Sequence, residues 1–336
     1  MAYMGPSYGR GVTVRVDTEQ GAYPDANSLL VRGTAETLVI DTSLSLVGRT
    51  PPADVVLVSH AHEDHIAALE DYETPVHIHM EDLAALRSRA IMVEGYGLPP
   101  DAAGHNDLML RDRFHVQGRP GAMGFEDGTV FDLGGRTVTV VHLPGHTAGH
   151  CGFLIEPDGF LFVADIDLTS FGPYYGDVGS SLTDYEASMR RCREIDARWY
   201  GTAHPKGVIE GAAGFSERLE AFAGVMMQRD ATLLAFLSEP RTVDEIADHR
   251  LVHRPHVEGP LYCRSSGGPR CSTWTGWSAR VESRRSNQGS SAPPMPVHHM
   301  GTQSRRRDTL DIYSSSRCTV GKQAQGVASH DCKAAP

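Results

Sequence analysis

Apolar and polar positions alternate in short blocks along the first 210 residues. "VTVRVD" (12–17) has a period of two, as a half-buried strand does. "NSLLVRG" (27–33) follows a Pro-Asp turn, and "ETLVIDTS" (36–43) is apolar up to Asp41. "ADVVLVSH" (53–60) is a continuous apolar run, the pattern of a strand covered on both faces. Helical spacing takes over at Ile66, Leu69 and Tyr72 within residues 63–72, and a strand (75–80) and a helix (81–91) follow. Residues 92–124 are rich in Gly, Pro, His and Arg with weak periodicity, which predicts a long loop. Beyond it the pattern predicts a hairpin (128–146), two strands around a Pro-Asp-Gly turn (151–165), a helix (181–195), a strand (197–204) and a helix (212–237). Thr242 and Glu245 have capping-box spacing at the start of a short helix over 241–249. Strands in two groups, each with helices after it, predict an α+β protein in which two packed sheets carry helices outside.

The strand ends break this economy. "VSHAHEDH" (58–65) puts His60, His62, Glu63, Asp64 and His65 where a buried strand meets a helix. Polar groups buried without partners are costly, so such a cluster needs something to bind. Other strand runs also end in metal-capable residues: His146, Asp165 and His204. Imidazole and carboxylate suit zinc, iron and manganese. In an extended segment His60 and His62 project the same way and can reach one ion, while Asp64 and His65 follow the turn into the helix and can face a second. His77, His79, His142 and His150 read as turn or core residues, and Glu63 as an acid that favours a helix N-terminus.

Here the sequence resembles the metallo-β-lactamase-fold hydrolase superfamily over about residues 12–210. The likeness rests on "HAHEDH" for HxHxDH, "PGHTAGH" (144–150), "VAD" (163–165) and "GTAH" (201–204), in that order. It implies a four-layer αββα sandwich with a two-metal site along the sheet edges. By motif, His60, His62 and His146 would hold the first metal, Asp64, His65 and His204 the second, and Asp165 would bridge them. Ala164 departs from the glycine frequent there, and Asp167 is a competing bridge. Asp41 resembles the family's strand-end aspartate. It either orients a ligand histidine or forms the turn at the strand end. Tyr174 and Tyr175, in "FGPYYGD" (171–177), either line the pocket or pack.

The expected cofactor is a pair of divalent ions, Zn2+ first, with Fe or Mn as alternatives. A shared hydroxide, oriented by Asp64, would attack an electrophilic carbonyl. The expected activity is hydrolysis of a small ester, thioester or lactone, and the alternative is a metal-dependent ribonuclease using the same site. A non-catalytic metal protein fits less well, because a structural zinc site needs only four ligands. The expected partner is a small-molecule substrate, with a homodimer as the candidate assembly.

Charge sharpens this. Hydrophobic residues make up 40% and charged residues 22%, an ordinary soluble composition. Residues 1–260 carry 20 Lys and Arg against 38 Asp and Glu, while residues 261–336 carry 11 against 4. An acidic body disfavours general nucleic-acid binding but leaves RNA open through a local patch or bound metal. No apolar run reaches spanning length and the N-terminus lacks a signal-like stretch, so no membrane partner and a cytoplasmic location are expected. The six cysteines form no CxxC pair.

Three regions result: a catalytic domain over 1–211, a helical segment over 212–260, and an irregular tail over 261–336. The segment resembles the start of the winged-helix-like domain appended to some hydrolases of the superfamily. The tail reads as disordered or as a frameshift product. Around "WTGW" (274–277) the neighbouring frame permits Leu-Asp-Arg-Leu and then Gly-Arg-Val, as the missing half of such a domain would require. Resequencing the gene decides between the two.

Overall fold

A computed structural model describes residues 5–16, 20–239, 241–242, 245–246 and 249. The first sheet holds seven strands in sequence order: β1 (Ser7–Tyr8), β2 (Val12–Arg15), β3 (Ser28–Arg32), β4 (Thr37–Ile40), β5 (Val55–Leu57), β6 (Val76–His79) and β7 (Met123–Phe125). β1 to β4 run antiparallel, and β4 to β7 run parallel. The second sheet is ordered β13 (Val208–Glu210), β12 (Trp199–Gly201), β11 (Phe160–Phe162), β10 (Cys151–Glu156), β9 (Thr137–His142) and β8 (Val130–Asp132). Only β11 and β12 are parallel in it.

The period-two pattern now has a destination for each side chain. Leu29, Val31, Leu38, Ile40 and Leu57 pack with Val138, Val140, Phe153 and Phe162 between the two sheets. Their neighbours Leu30, Val39, Val56 and Val58 face the opposite way, onto the helices α1 (Glu63–Ile66), α2 (Leu83–Arg87), α3 (Arg89–Gly95) and α4 (Pro100–Asp112). On the second sheet Leu161 and Val163 face α5 (Leu182–Glu194) and α6 (Ala212–Phe236), against Met189, Phe215, Leu219 and Phe222. Three apolar interfaces separate four layers, so the arrangement is the expected αββα sandwich.

Several local expectations change. The loop expected over 92–124 contains most of α3, all of α4, and the first two residues of β7. α4 begins with Pro100 at its first position, where the missing N–H costs nothing, and buries only Asn106 and Leu110. A helix that buries so little leaves little periodicity to read. The helix expected over 63–72 is α1 followed by a separate 3-10 turn, Leu69–Asp71. The helix over 81–91 is interrupted by Ser88, whose backbone is extended (φ −141°, ψ 114°). β1 and β13 are additional strands.

α6 packs along the core of the second sheet over most of its length, from Phe215 to Leu233. The capping box forms reciprocally: Glu245 N donates to Thr242 Oγ1 (3.2 Å) and Thr242 N to Glu245 Oε2 (2.7 Å). The expectations for the tail, including the altered frame, lie outside the described residues. Among the described residues no helix is long and apolar enough to cross a membrane.

Candidate metal centre

All seven residues with metal-ligand chemistry meet where strands of both sheets end. His60 and His62 follow β5, and Asp64 and His65 lie in α1. His146 lies between β9 and β10, Asp165 follows β11, and His204 follows β12. His60, His62 and His146 form one cluster: His60 Nε2 is 3.0 Å from His62 Nδ1, and His146 Nε2 is 3.1 and 2.9 Å from those two atoms. Asp64, His65 and His204 form a second, with Asp64 carboxylate oxygens 3.7 Å from His65 Nε2 and 3.6 Å from His204 Nε2. Asp165 faces both. Its Oδ1 is 3.1 Å from His65 Nε2, and its Oδ2 is 3.3 Å from His146 Nε2 and 3.4 Å from His204 Nε2.

The outward nitrogens explain why these rings point inward. His65 Nδ1 donates to Asp41 Oδ2 (2.9 Å), His146 Nδ1 to Tyr174 O (2.9 Å), and His204 Nδ1 to Gly21 O (2.7 Å). His62 Nε2 meets Asp177 Oδ2 at 2.5 Å. His60 Nδ1 lies 3.0 Å from Ser59 Oγ, which donates onward to Asp41 Oδ2 (2.9 Å). With each outer nitrogen engaged, five inner nitrogens converge on one another and on two carboxylates, an arrangement that calls for cations. His65 Nε2 and Asp165 Oδ1 are buried and face each other at 3.1 Å with no further partner, as two atoms that could share an ion would. Two imidazole nitrogens on one zinc lie about 3.3 Å apart. The spacings within the first cluster are close to that, and the residues fit the ions.

Without ions the cluster is electrically divided. Burial pushes His60 well down and His146 down to about 4. At His62 burial also opposes charge, but Asp177, with Glu63 and Asp64, outweighs it and raises the ring to about 9. At His204 the Asp165 and Asp64 carboxylates overcome burial and raise it to about 10. Burial lifts Asp64 to about 6. Asp165 is held well below the usual carboxylate range, because the neighbouring His204, His65 and His60 outweigh its burial.

Local backbone sets these positions. Asp41 has a left-handed backbone (φ 59°) and is fully buried, and its Oδ1 accepts Ser59 N (2.7 Å). Asp41 thus turns the chain at the strand end and also holds the His65 ring. Ala164, where the sequence departs from glycine, also has positive φ (44°), directly before Asp165. Gly145 lies so close to the start of α5 that a Cβ would fall 2.3 Å from Tyr185 N. Tyr185 Oη donates to Asp165 O (2.8 Å).

Some residues hold places other than those expected. Asp167 accepts Thr169 N (2.9 Å) and belongs to neither cluster. Tyr175 packs in the core beneath α6. Tyr174 is half-buried beside the His146 ring, at 5.8 Å between centroids. His150 is fully buried, but its Nε2 accepts Asp165 N (3.1 Å), so it positions Asp165. The reading of Glu63 is corrected. It is buried, not a simple helix-end charge, and it accepts hydrogen bonds from Tyr23 (3.0 Å) and from Tyr96, whose ring stacks on His62.

Sequence reasoning missed Asp177 and Asp82. Asp82 accepts Ala61 N (3.1 Å), Thr147 Oγ1 (2.7 Å) and Gly149 N (2.8 Å), joining the two histidine loops. Neither aspartate lies in a motif. Only the folded loops bring them to the site.

The protein is similar to several known ones. It is 26% identical over 196 residues to the human acyl-coenzyme A thioesterase MBLAC2, covering 51% of this chain and 68% of that protein. It is 27% identical over 117 residues to hydroxyacylglutathione hydrolase GloC of Haemophilus influenzae, covering 33% of this chain and 49% of that one. It is 26% identical over 191 residues to the atrochrysone carboxyl ACP thioesterase AgnL7 of Paecilomyces divaricatus, covering 53% and 49%. The fold matches a metallo-beta-lactamase family protein of Thermus thermophilus with a TM-score of 0.57 at 21% identity, covering 83% of this chain and 94% of that one. The pattern of the metallo-beta-lactamase superfamily matches residues 24–204, a span that holds every one of the clustered histidines and aspartates. By that match, and by the four layers and paired clusters that carry it, the chain belongs to the metallo-beta-lactamase superfamily of metal-dependent hydrolases.

Proposed function

We propose that this protein is a binuclear hydrolase that cleaves small acyl thioesters. The observation that carries the reading is Asp165, which faces both histidine clusters at once and makes them one site. His60, His62 and His146 would hold one ion, Asp64, His65 and His204 the other, and Asp165 both. Ions bound there would supply a Lewis acid and a water activated near neutral pH. Asp64 would orient that water toward the substrate carbonyl. Asp41, Asp177 and the Tyr174 carbonyl keep the rings turned inward, so their arrangement precedes substrate binding.

The thioester preference is supported by the relatives, two of which are named as thioesterases and a third as a hydroxyacylglutathione hydrolase. The acidic body supports a small substrate over RNA. The test is the full chain loaded with Zn2+, Mn2+ or Fe2+ and offered acyl-coenzyme A and acyl-glutathione thioesters, an acyl lactone, an aryl ester and a short RNA. A thioester should give the highest kcat/KM, and His62→Ala should abolish turnover. Cleavage of the RNA or the lactone with thioesters untouched would overturn the reading.

A further inference from the structure

The first cluster owes part of its geometry to a segment with no regular structure. Residues 171–177 supply the Tyr174 carbonyl that accepts His146 Nδ1 and the Asp177 carboxylate that meets His62 Nε2. Two of the three rings of that cluster are thus held from outside by one loop. The loop is held in turn by α6. Arg229, on that helix, is only 6% exposed, and it donates Nη1 to Pro173 O and Nη2 to Phe171 O, both at 2.5 Å. Its guanidinium also lies over the Phe171 and Tyr175 rings, 5.2 and 5.4 Å from their centroids.

A second contact fixes the same loop on the same helix. Gly172 (φ 77°) presses against Val225, where an added Cβ would fall 2.5 Å from the valine Cβ. Only glycine allows both the backbone conformation and the approach.

We propose that Arg229 is a positioning residue for the first metal position: by tying the Phe171 and Pro173 carbonyls to α6, it places Tyr174 O behind His146 and Asp177 behind His62. The inference rests on the two-metal reading above. The chemistry suits arginine in particular. A buried guanidinium must have its donors met, and its planar fork reaches two carbonyls at once, which an ammonium on a flexible stem does not reproduce. The second position draws no support from this loop, since His65 is held by Asp41 and His204 by Gly21 O. Loosening the loop should therefore act on one ion and spare the other.

The test is a titration of the metal-free full chain with Zn2+ against a chromophoric chelator, resolving two dissociation constants. R229K should weaken one of the two by about tenfold or more and leave the other within about threefold, as loss of an outer partner of a ligand does. G172A, which keeps the arginine but pushes the loop off α6, should do the same. D177N should weaken the same position, and the R229K/D177N pair should fall short of the product of the single effects. Equal weakening of both ions, no weakening, or full additivity would overturn the proposal. A wild-type chain that takes up two ions while R229K and G172A leave both constants unchanged rejects the arginine's role alone. A wild-type chain that takes up fewer than two ions rejects the two-metal reading, and this proposal with it.

Discussion

Asp177 and His62 stand 115 residues apart in the chain, yet the aspartate Oδ2 lies 2.5 Å from the outer nitrogen of the ring. A carboxylate behind a ligand histidine fixes its tautomer and strengthens it as a donor to metal. Replacing Asp177 with Asn should cost about 10–100-fold in zinc affinity at the first position. Chelator competition would show this as one weakened constant out of two. Unchanged affinity would mean that His62 is oriented by its own backbone.

The charge pattern makes metal uptake a proton exchange. Without metal, His60 and His146 are neutral at pH 7, while His62, raised to about 9, carries a proton. Loading the first position should therefore release about one proton and tighten by about a decade per pH unit between pH 6 and 8. The sign follows from the raised value: below 9 the proton competes with the ion, and the competition fades as pH rises. The second position, with His204 at about 10 and His65 well above its ordinary value, should release about two. Calorimetric titrations in buffers of different ionisation enthalpy count these protons. Affinity that falls as pH rises across that window would contradict the assignment.

Asp41 accepts three hydrogen bonds while fully buried, from Ser59 N, Ser59 Oγ and His65 Nδ1. Asp41→Ala strands those donors and should lower the stability of the metal-free protein by about 3 kcal/mol. Urea unfolding measures it. A loss below about 1 kcal/mol would show that water replaces the carboxylate without difficulty.

Asp82 ties the loop of His60 and His62 to the loop of His146. Asp82→Ala should cost about 2 kcal/mol in stability and lower kcat more than it raises KM, because the loops it joins carry ligands and not the substrate pocket alone. A variant with lowered stability and unchanged turnover would leave Asp82 a purely structural tie.

The seven clustered residues were legible in the sequence because their chemistry is local: all follow strand runs, and four fall within six residues. The four layers were legible because alternation in β3, β4 and β11 assigns each side chain to one interface. Asp82, Asp177 and Arg229 were not. Their partners are mostly backbone groups of other loops, and no spacing along the chain encodes that. α4 was hidden for a different reason, since a helix that buries only Asn106 and Leu110 has almost no apolar face to show. Glu63 was misread because an acid at a helix start has an ordinary explanation, and only folding brings Tyr23 and Tyr96 onto it.

Asp41 stands behind one histidine of each cluster. His65 draws on it directly, and His60 draws on it through the Ser59 hydroxyl. An ion that polarises His60 makes its Nδ1–H a stronger donor, which strengthens the serine's hold on the carboxylate and leaves less of it for His65. Under the two-metal reading the two positions would compete for a shared resource, and filling them should be anticooperative. When metal is scarce, the protein should accumulate with one ion aboard and not divide into empty and doubly loaded molecules.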